Sequence, residues 1–212
     1  TILNLLVYYW ACKFRKPYVV CPAGALPIFG RSRLLKYIYN AFGGRRYIQR
    51  ANCHIAISRD EFGYFSEYGV SADSVHLIPN GIEPESYAYH NDEQVRAQFG
   101  LKGDPFVLFV GRLNLIKGPD LLLDAFAAVA EMFPEYQLVF AGTDDGMAKQ
   151  LRKMVDTHRL NDRVHFLGYV GGEQKSALYH AAELLVFPSR LEAMSIVVLE
   201  AAMVGTPVLM TN

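Results

Sequence analysis

Two segments of this 212-residue chain combine residue types able to hold a charged ligand. In Gly111-Arg112-Leu113-Asn114-Leu115-Ile116-Lys117-Gly118, two fixed cations share one loop between two glycines. Arg offers a planar fork of donors and Lys a compact point charge, a combination suited to a diphosphate. The glycines let backbone come close to it. In Pro188-Ser189-Arg190-Leu191-Glu192-Ala193-Met194-Ser195, a loop runs into a helix, whose first amides and dipole favour an anion. Ser195 by itself reads first as the cap of that helix. Glu192 and Glu200 stand eight residues apart, and Glu200 falls inside the apolar run Ile196-Val197-Val198-Leu199-Glu200-Ala201-Ala202-Met203. A carboxylate in such a run is costly to bury unless it is paired or meets ligand hydroxyls. A surface carboxylate, an ion pair and a ligand contact are all open readings of it.

The elements that must position these residues follow from hydrophobic periodicity. Strands are predicted at 17–21, 54–57, 75–78, 106–110, 137–141, 164–167, 184–187 and 207–210. Helices are predicted at 31–42, 120–133, 147–159, 173–182 and 194–204, and another from a Ser58 cap to about Tyr68, with Glu61 at the capping-box position. Strands apolar on both faces and separated by helices indicate an α/β fold with parallel, doubly wound sheets. Ligands of such sheets bind beyond the carboxyl ends of the strands, where the 111–118 and 188–195 loops fall. Pro79-Asn80-Gly81 is a turn signal and marks the expected division into residues 1–81 and 82–212. Asp144-Asp145 in AGTDDGM is expected to open a helix as cap and first-turn acid, not to hold a metal.

Composition removes several classes. At 51% hydrophobic and 20% charged residues the chain is globular, and no apolar run of about 18 residues suggests a membrane span. Cys12, Cys21 and Cys53 make neither a disulfide framework nor a zinc site and read as reduced thiols. The chain opens at Thr1 with no recognisable signal peptide and ends just after a strand, so it is expected to be an internal piece of a longer protein. Charge is unevenly spread. Residues 1–59 hold ten basic residues and no acid, whereas the rest holds eleven basic against twenty-one acidic. A basic, aromatic-rich stretch suits anionic lipid, nucleic acid or a phosphorylated substrate. Within it, Leu34, Leu35, Ile38, Tyr39 and Phe42 share one helical face, with Arg33 and Lys36 to the other side. That face either packs on its own domain or meets a lipid surface; nucleic acid is the least favoured partner.

In order along the chain, FVGRLNLIKGPDLLLDAF, LVFAG, RVHFLGYV and AELLVFPSRLEAMSIVVLEAAMVGTPVL resemble the C-terminal half of glycosyltransferase family 4. The G-R-x₄-K-G loop and the E-x₇-E spacing carry the resemblance together, and LIPNGIE at 77–83 is similar to the family's crossing between domains. Residues 17–58 resemble the later part of the acceptor domain more loosely. The resemblance implies a GT-B fold of two Rossmann-like doubly wound domains: a partial acceptor-side domain at 1–81 and a nucleotide-sugar-binding domain at 82–212. It implies a retaining glycosyltransferase moving a sugar from a nucleoside-diphosphate sugar to an acceptor hydroxyl in polysaccharide, glycolipid or other glycoconjugate synthesis. The alternative is a non-catalytic nucleotide-sugar-binding module. The loop and the glutamate spacing argue against a GT-B epimerase.

By the same resemblance, Arg112 and Lys117, beside Gly111, hold the donor diphosphate. Glu192 contacts the transferred sugar and Glu200 the ribose hydroxyls, and the backbone amides of Ala193, Met194 and Ser195 line the sugar–phosphate site. Glu192, Arg112 and Lys117 carry the catalytic roles. The family commonly has Gly-Phe-Gly where this chain has Ala193-Met194-Ser195, which adds side-chain bulk beside the ligand. Many relatives have His or Arg at Ala23, which therefore receives no catalytic role. No cofactor is implied beyond the nucleotide-sugar co-substrate, and no metal, because fixed cations fill its place. The implied partners are that donor, a glycan or lipid-linked acceptor, and a peripheral membrane contact through residues 1–59. Donor supply and unpaired thiols imply a cytoplasmic location, at the inner face of the membrane where the acceptor is lipid-linked.

Overall fold

The apolar runs form two parallel sheets. The computed structural model describes residues 2–28, 33–87, 92–101 and 103–211. The chain divides into two compact units, Thr1–Asn80 with Glu192–Met194, and Gly81–Leu191 with Ser195–Asn212. Compared with the expected division after Gly81, Gly81 itself groups with the second unit and Glu192–Met194 with the first.

The first unit runs α1 (Ile2–Phe14), β1 (Val19–Val20), α2 (Arg33–Tyr39), a π-helical turn (Asn40–Gly44), α3 (Arg45–Gln49), β2 (Cys53–Ala56), α4 (Asp60–Glu67) and β3 (Val75–Leu77). Its sheet has the parallel order β1-β2-β3, over a core of Val20, Leu26, Ile48, Ala56, Phe65 and Val75. α1 is apolar almost all round, which hides the helical period, and sequence reasoning assigns nothing there. The helix predicted at 31–42 gives out at Tyr39, because Gly43 adopts φ 135° and breaks the regular turn before α3. Arg31, in that predicted helix, lies outside the described residues. Leu34, Leu35 and Phe42 of the predicted apolar face are 73%, 67% and 81% exposed. The Ser58 cap is also corrected. Arg59 occupies the cap position of α4 with no side-chain cap bond, and Ser58 Oγ is buried without a partner.

The second unit runs α5 (Asp92–Gln98), β4 (Phe106–Val110), α6 (Pro119–Val129), β5 (Gln137–Ala141), α7 (Ala148–His158), β6 (Val164–Gly168), α8 (Gly172–Ala181), β7 (Leu184–Phe187), α9 (Ile196–Met203) and β8 (Val208–Met210). Its five strands are parallel in the order β6-β5-β4-β7-β8. Every residue of β5 is buried, as a sheet covered on both faces requires. Two cores lie within the unit. Leu108, Val139, Leu178, Tyr179 and Leu185 belong to one, and Phe109, Leu123, Leu138, Phe140 and Leu151 to the other. The predicted α/β organisation with parallel sheets is what the structure has.

Helix starts in this unit follow local chemistry. Pro119 sits in the first turn of α6, where its missing N–H costs nothing. Asp144 Oδ1 accepts the N–H groups of Gly146, Met147 and Ala148 at 2.9, 3.0 and 2.9 Å, and so caps the entry to α7. Ser195 Oγ accepts from Val198 N–H at the start of α9. No helix among the described residues is long and apolar enough to cross a membrane.

Candidate functional site

In the second unit the chain winds outward from β4 through β5 and β6, then returns to place β7 on the other side of β4. The strand order reverses between β4 and β7, and ligands of doubly wound sheets bind at the carboxyl ends of such a pair. The loops leaving those two strands are the two that the sequence singles out, 111–118 and 188–195.

The loops are tied to each other. The Arg190 backbone N–H donates to the Ile116 carbonyl at 2.7 Å, and Ser189 Oγ donates to the same carbonyl at 3.1 Å. The Arg190 guanidinium donates to the Leu115 carbonyl at 2.6 Å and to both carboxylate oxygens of Asp120 at 2.8 and 2.7 Å. A forked Arg–carboxylate pair of this kind fixes direction as well as distance. Burial by itself would raise the Asp120 pKa, but the hydrogen bonds and charge of Arg190 hold it below the ordinary value. Gly118 stands where the loops cross, at φ +70°, and a Cβ there would collide with the Pro188 carbonyl. A Cβ at Gly142, after β5, would likewise collide with the Gly111 carbonyl.

The two cations are held differently. Arg112 Nη1 donates to Asp145 Oδ2 at 3.1 Å, with the arginine side chain 65% exposed. Asn114 Nδ2 donates to the same oxygen at 2.8 Å, while Asn114 Oδ1 accepts the Lys117 N–H at 3.0 Å. The Lys117 ammonium lies 5.1 Å from the ring centre of Phe187, the last residue of β7. Asp144 and Asp145 are thus engaged with backbone amides and with Arg112. Asp145 is not the first-turn acid that the sequence suggested, since α7 begins at Ala148.

Glu200 is buried one turn into α9, its side chain 5% exposed. Its Oε1 accepts from Lys175 Nζ at 2.7 Å and from the Tyr87 hydroxyl at 2.5 Å, and its Oε2 accepts from the Tyr179 hydroxyl at 2.6 Å. Of the readings left open for this carboxylate, an ion pair is present. Burial, then the adjoining carboxylate, pushes both phenols above their ordinary pKa, so both stay protonated and donate.

Gly111, Arg112, Lys117, Ser195 and Glu200 therefore belong to the second unit, whereas Glu192, Ala193 and Met194 group with the first. In the first unit the Asn80 N–H meets Met194 Sδ at 3.3 Å. Sequence reasoning missed Arg190 and Asp120, and also Lys175, Tyr179 and Tyr87. The only local signal was the Lys175–Tyr179 spacing of four, which puts both on one face of α8.

The family described as Glycosyl transferases group 1 matches residues 91–212, and Glycosyltransferase Family 4 matches residues 2–86. Mannosylfructose-phosphate synthase of Agrobacterium fabrum is 36% identical over 155 residues, covering 68% of this chain and 34% of the synthase. D-inositol 3-phosphate glycosyltransferase of Nocardia farcinica is 31% identical over 175 residues, covering 79% of this chain and 39% of that protein. Among solved structures, Anabaena HepE in complex with UDP and glucose superposes with TM-score 0.82 at 24% identity, over 97% of this chain and 55% of HepE. Sucrose-phosphate synthase from Thermosynechococcus elongatus superposes with TM-score 0.80 at 25% identity, over 98% of this chain and 53% of the synthase. The chain thus spans little more than a third of the first curated relatives and about half of these solved ones. These neighbours are glycosyltransferases of the GT-B fold. With its second unit matched almost throughout, and relatives above 30% identity over more than two thirds of its length, the chain belongs to the group 1 glycosyl transferases.

Proposed function

We propose that the chain is part of a retaining, metal-independent glycosyltransferase that moves a sugar from a nucleoside-diphosphate sugar to an acceptor hydroxyl. The observation that carries the reading is the pair of cations on the loop after β4, tied by Arg190 to the loop after β7 where the strand order reverses. Loops held in this way offer fixed charges where a leaving diphosphate gains charge, and preorganised charge of this kind often contributes more to catalysis than any other single effect. The bond from the anomeric carbon to the diphosphate oxygen breaks as the bond to the acceptor oxygen forms on the same face. The acceptor proton passes to the departing phosphate oxygen. Arg112 and Lys117 stabilise the diphosphate, Glu192 contacts the transferred sugar, and Glu200 meets the ribose hydroxyls. The backbone amides of Ala193, Met194 and Ser195 lie along the sugar–phosphate link.

The acceptor belongs to the first unit's side, and the basic, apolar character of residues 1–59 fits a lipid-linked glycan at the cytoplasmic membrane face. HepE was solved with UDP and glucose, which makes UDP the first probe. The test is a titration of the chain with UDP, GDP and ADP, repeated on Arg112→Ala. One nucleotide should bind, and the substitution should weaken it at least about tenfold, or 1.4 kcal/mol. Undiminished affinity in Arg112→Ala would remove the diphosphate role. Sugar transfer from a supplied donor then separates an enzyme from a module that only binds nucleotide sugars.

A further inference from the structure

A buried carboxylate that takes three donors from two different segments is an expensive arrangement. Lys175 and Tyr179 project from one face of α8, and Tyr87 comes from the single turn Pro84–Tyr87. All three converge on Glu200 of α9, from 25, 21 and 113 residues away in sequence. An ionised carboxylate has about four acceptor positions, of which these donors fill three. The protons are not interchangeable. Both phenols must donate, because each is held protonated by burial and by the carboxylate beside it. The ammonium can only donate. Of the carboxylate oxygens, Oε2 uses one donor and Oε1 two.

We infer that Lys175, Tyr179 and Tyr87 are positioning residues of the donor site, which orient the Glu200 carboxylate so that its unused acceptor position takes a ribose hydroxyl of the nucleotide. The inference rests on the donor-site reading above. The ligand chemistry follows from the charge: a fixed carboxylate repels phosphate and accepts only from O–H or N–H groups, so it selects a neutral, hydroxyl-bearing part of the ligand. Its place suits that part, since Glu200 lies four residues beyond Ile196, about 6 Å along α9 from the helix end that favours the diphosphate.

A purely structural ion pair would make no distinction between nucleotides with and without ribose hydroxyls, which supplies the test. The nucleotide among UDP, GDP and ADP that binds is compared by calorimetry with its 2′,3′-dideoxy counterpart. The proteins are the unaltered chain, Lys175→Met, Lys175→Arg, Tyr87→Phe and Glu200→Gln. The unaltered chain should prefer the hydroxylated form by about tenfold or more, as expected for a hydrogen bond to a charged group. Lys175→Met and Tyr87→Phe should each lose most of that preference while binding the dideoxy form as before, and Lys175→Arg should restore part of it. Equal weakening of both forms overturns the inference and leaves a structural pair. If the unaltered, folded chain binds no nucleotide, the donor reading itself fails and the inference with it. Should Lys175→Met not fold, Tyr87→Phe removes one hydroxyl only and decides the question by the same ratio.

Discussion

At the scale of single residues, the loop cations were legible because both lie in one eight-residue segment with its glycines. The residue that holds the loop in place was not. Arg190 acts on Leu115, Ile116 and Asp120, 70 or more residues away, and no local pattern announces a partner at that distance. The pair has a pH signature. Burial opposes ionisation of Asp120, but Arg190 outweighs it, and the folded-state pKa falls below the ordinary 3.8. A group whose folded pKa is depressed stabilises the fold above its unfolded pKa, and that stability is lost as pH falls through the folded value. Arg190→Met should therefore cost about 1 kcal/mol near neutral pH, the upper end for a partly exposed pair, or roughly 2–4 °C in Tm. The difference should shrink below about pH 3.8, as the Asp120 carboxyl takes up its proton. Thermal melts of both proteins at pH 7 and pH 3 check this, and a difference independent of pH would separate Arg190 from the Asp120 charge.

At the scale of elements, the central strands of the second unit were readable to the residue. Phe106–Val110, Gln137–Ala141 and Leu184–Phe187 stand as expected, because uninterrupted apolar runs bounded by polar loops leave little choice. The first unit was less legible, since its strands are two to four residues long and α1 shows no clean period. The capping box at α4 shows how a correct residue can be given the wrong task. Glu61 was expected to reach back to its own helix start. It is instead fully buried, and it accepts the Ile57 N–H at 2.7 Å and the Gly24 N–H at 2.6 Å. One carboxylate thus joins the end of β2 to the loop that follows β1, using one oxygen for each. Glu61→Gln keeps the shape but supplies only one acceptor oxygen and sets an NH₂ against a backbone N–H. Leaving a buried donor unpaired costs roughly 1–3 kcal/mol, and the melting temperature should fall accordingly. Hydrogen exchange should quicken at whichever of Gly24 and Ile57 loses its acceptor. Unchanged exchange at both amides would mean that Glu61 acts only by filling space.

At the scale of the whole molecule, charge and apolar exposure coincide in one part of the sequence. Residues 1–59 carry ten basic side chains and no acidic one. The same stretch exposes Ile2, Leu3, Trp10 and Phe14 of α1, Leu34 and Leu35 of α2, and Phe42 beyond it. Neither property alone calls for a lipid surface: basic stretches are commonly solvated, and single exposed apolar residues are ordinary. Together they meet both requirements of interfacial binding, apolar side chains to enter the headgroup region and cations worth about 1 kcal/mol each beside an anionic leaflet. The acidic excess lies after residue 59, so the attraction is confined to the region that the proposed function assigns to the acceptor. The chain should therefore sediment with vesicles containing phosphatidylglycerol at low ionic strength, and far less with pure phosphatidylcholine. Salt at about 0.5 M should release most of it, because screening then acts within a few ångströms. Charge reversal at Arg33 and Lys36 should weaken the binding through its electrostatic part, and Leu34→Ser with Phe42→Ser through its apolar part. If binding to the two kinds of vesicle is equal, charge plays no role and the exposed apolar residues alone make the lipid contact. If neither binds at low salt, the lipid-linked acceptor loses its support, while the assignments of Arg112, Lys117 and Glu200 in the second unit stand or fall by the nucleotide titrations.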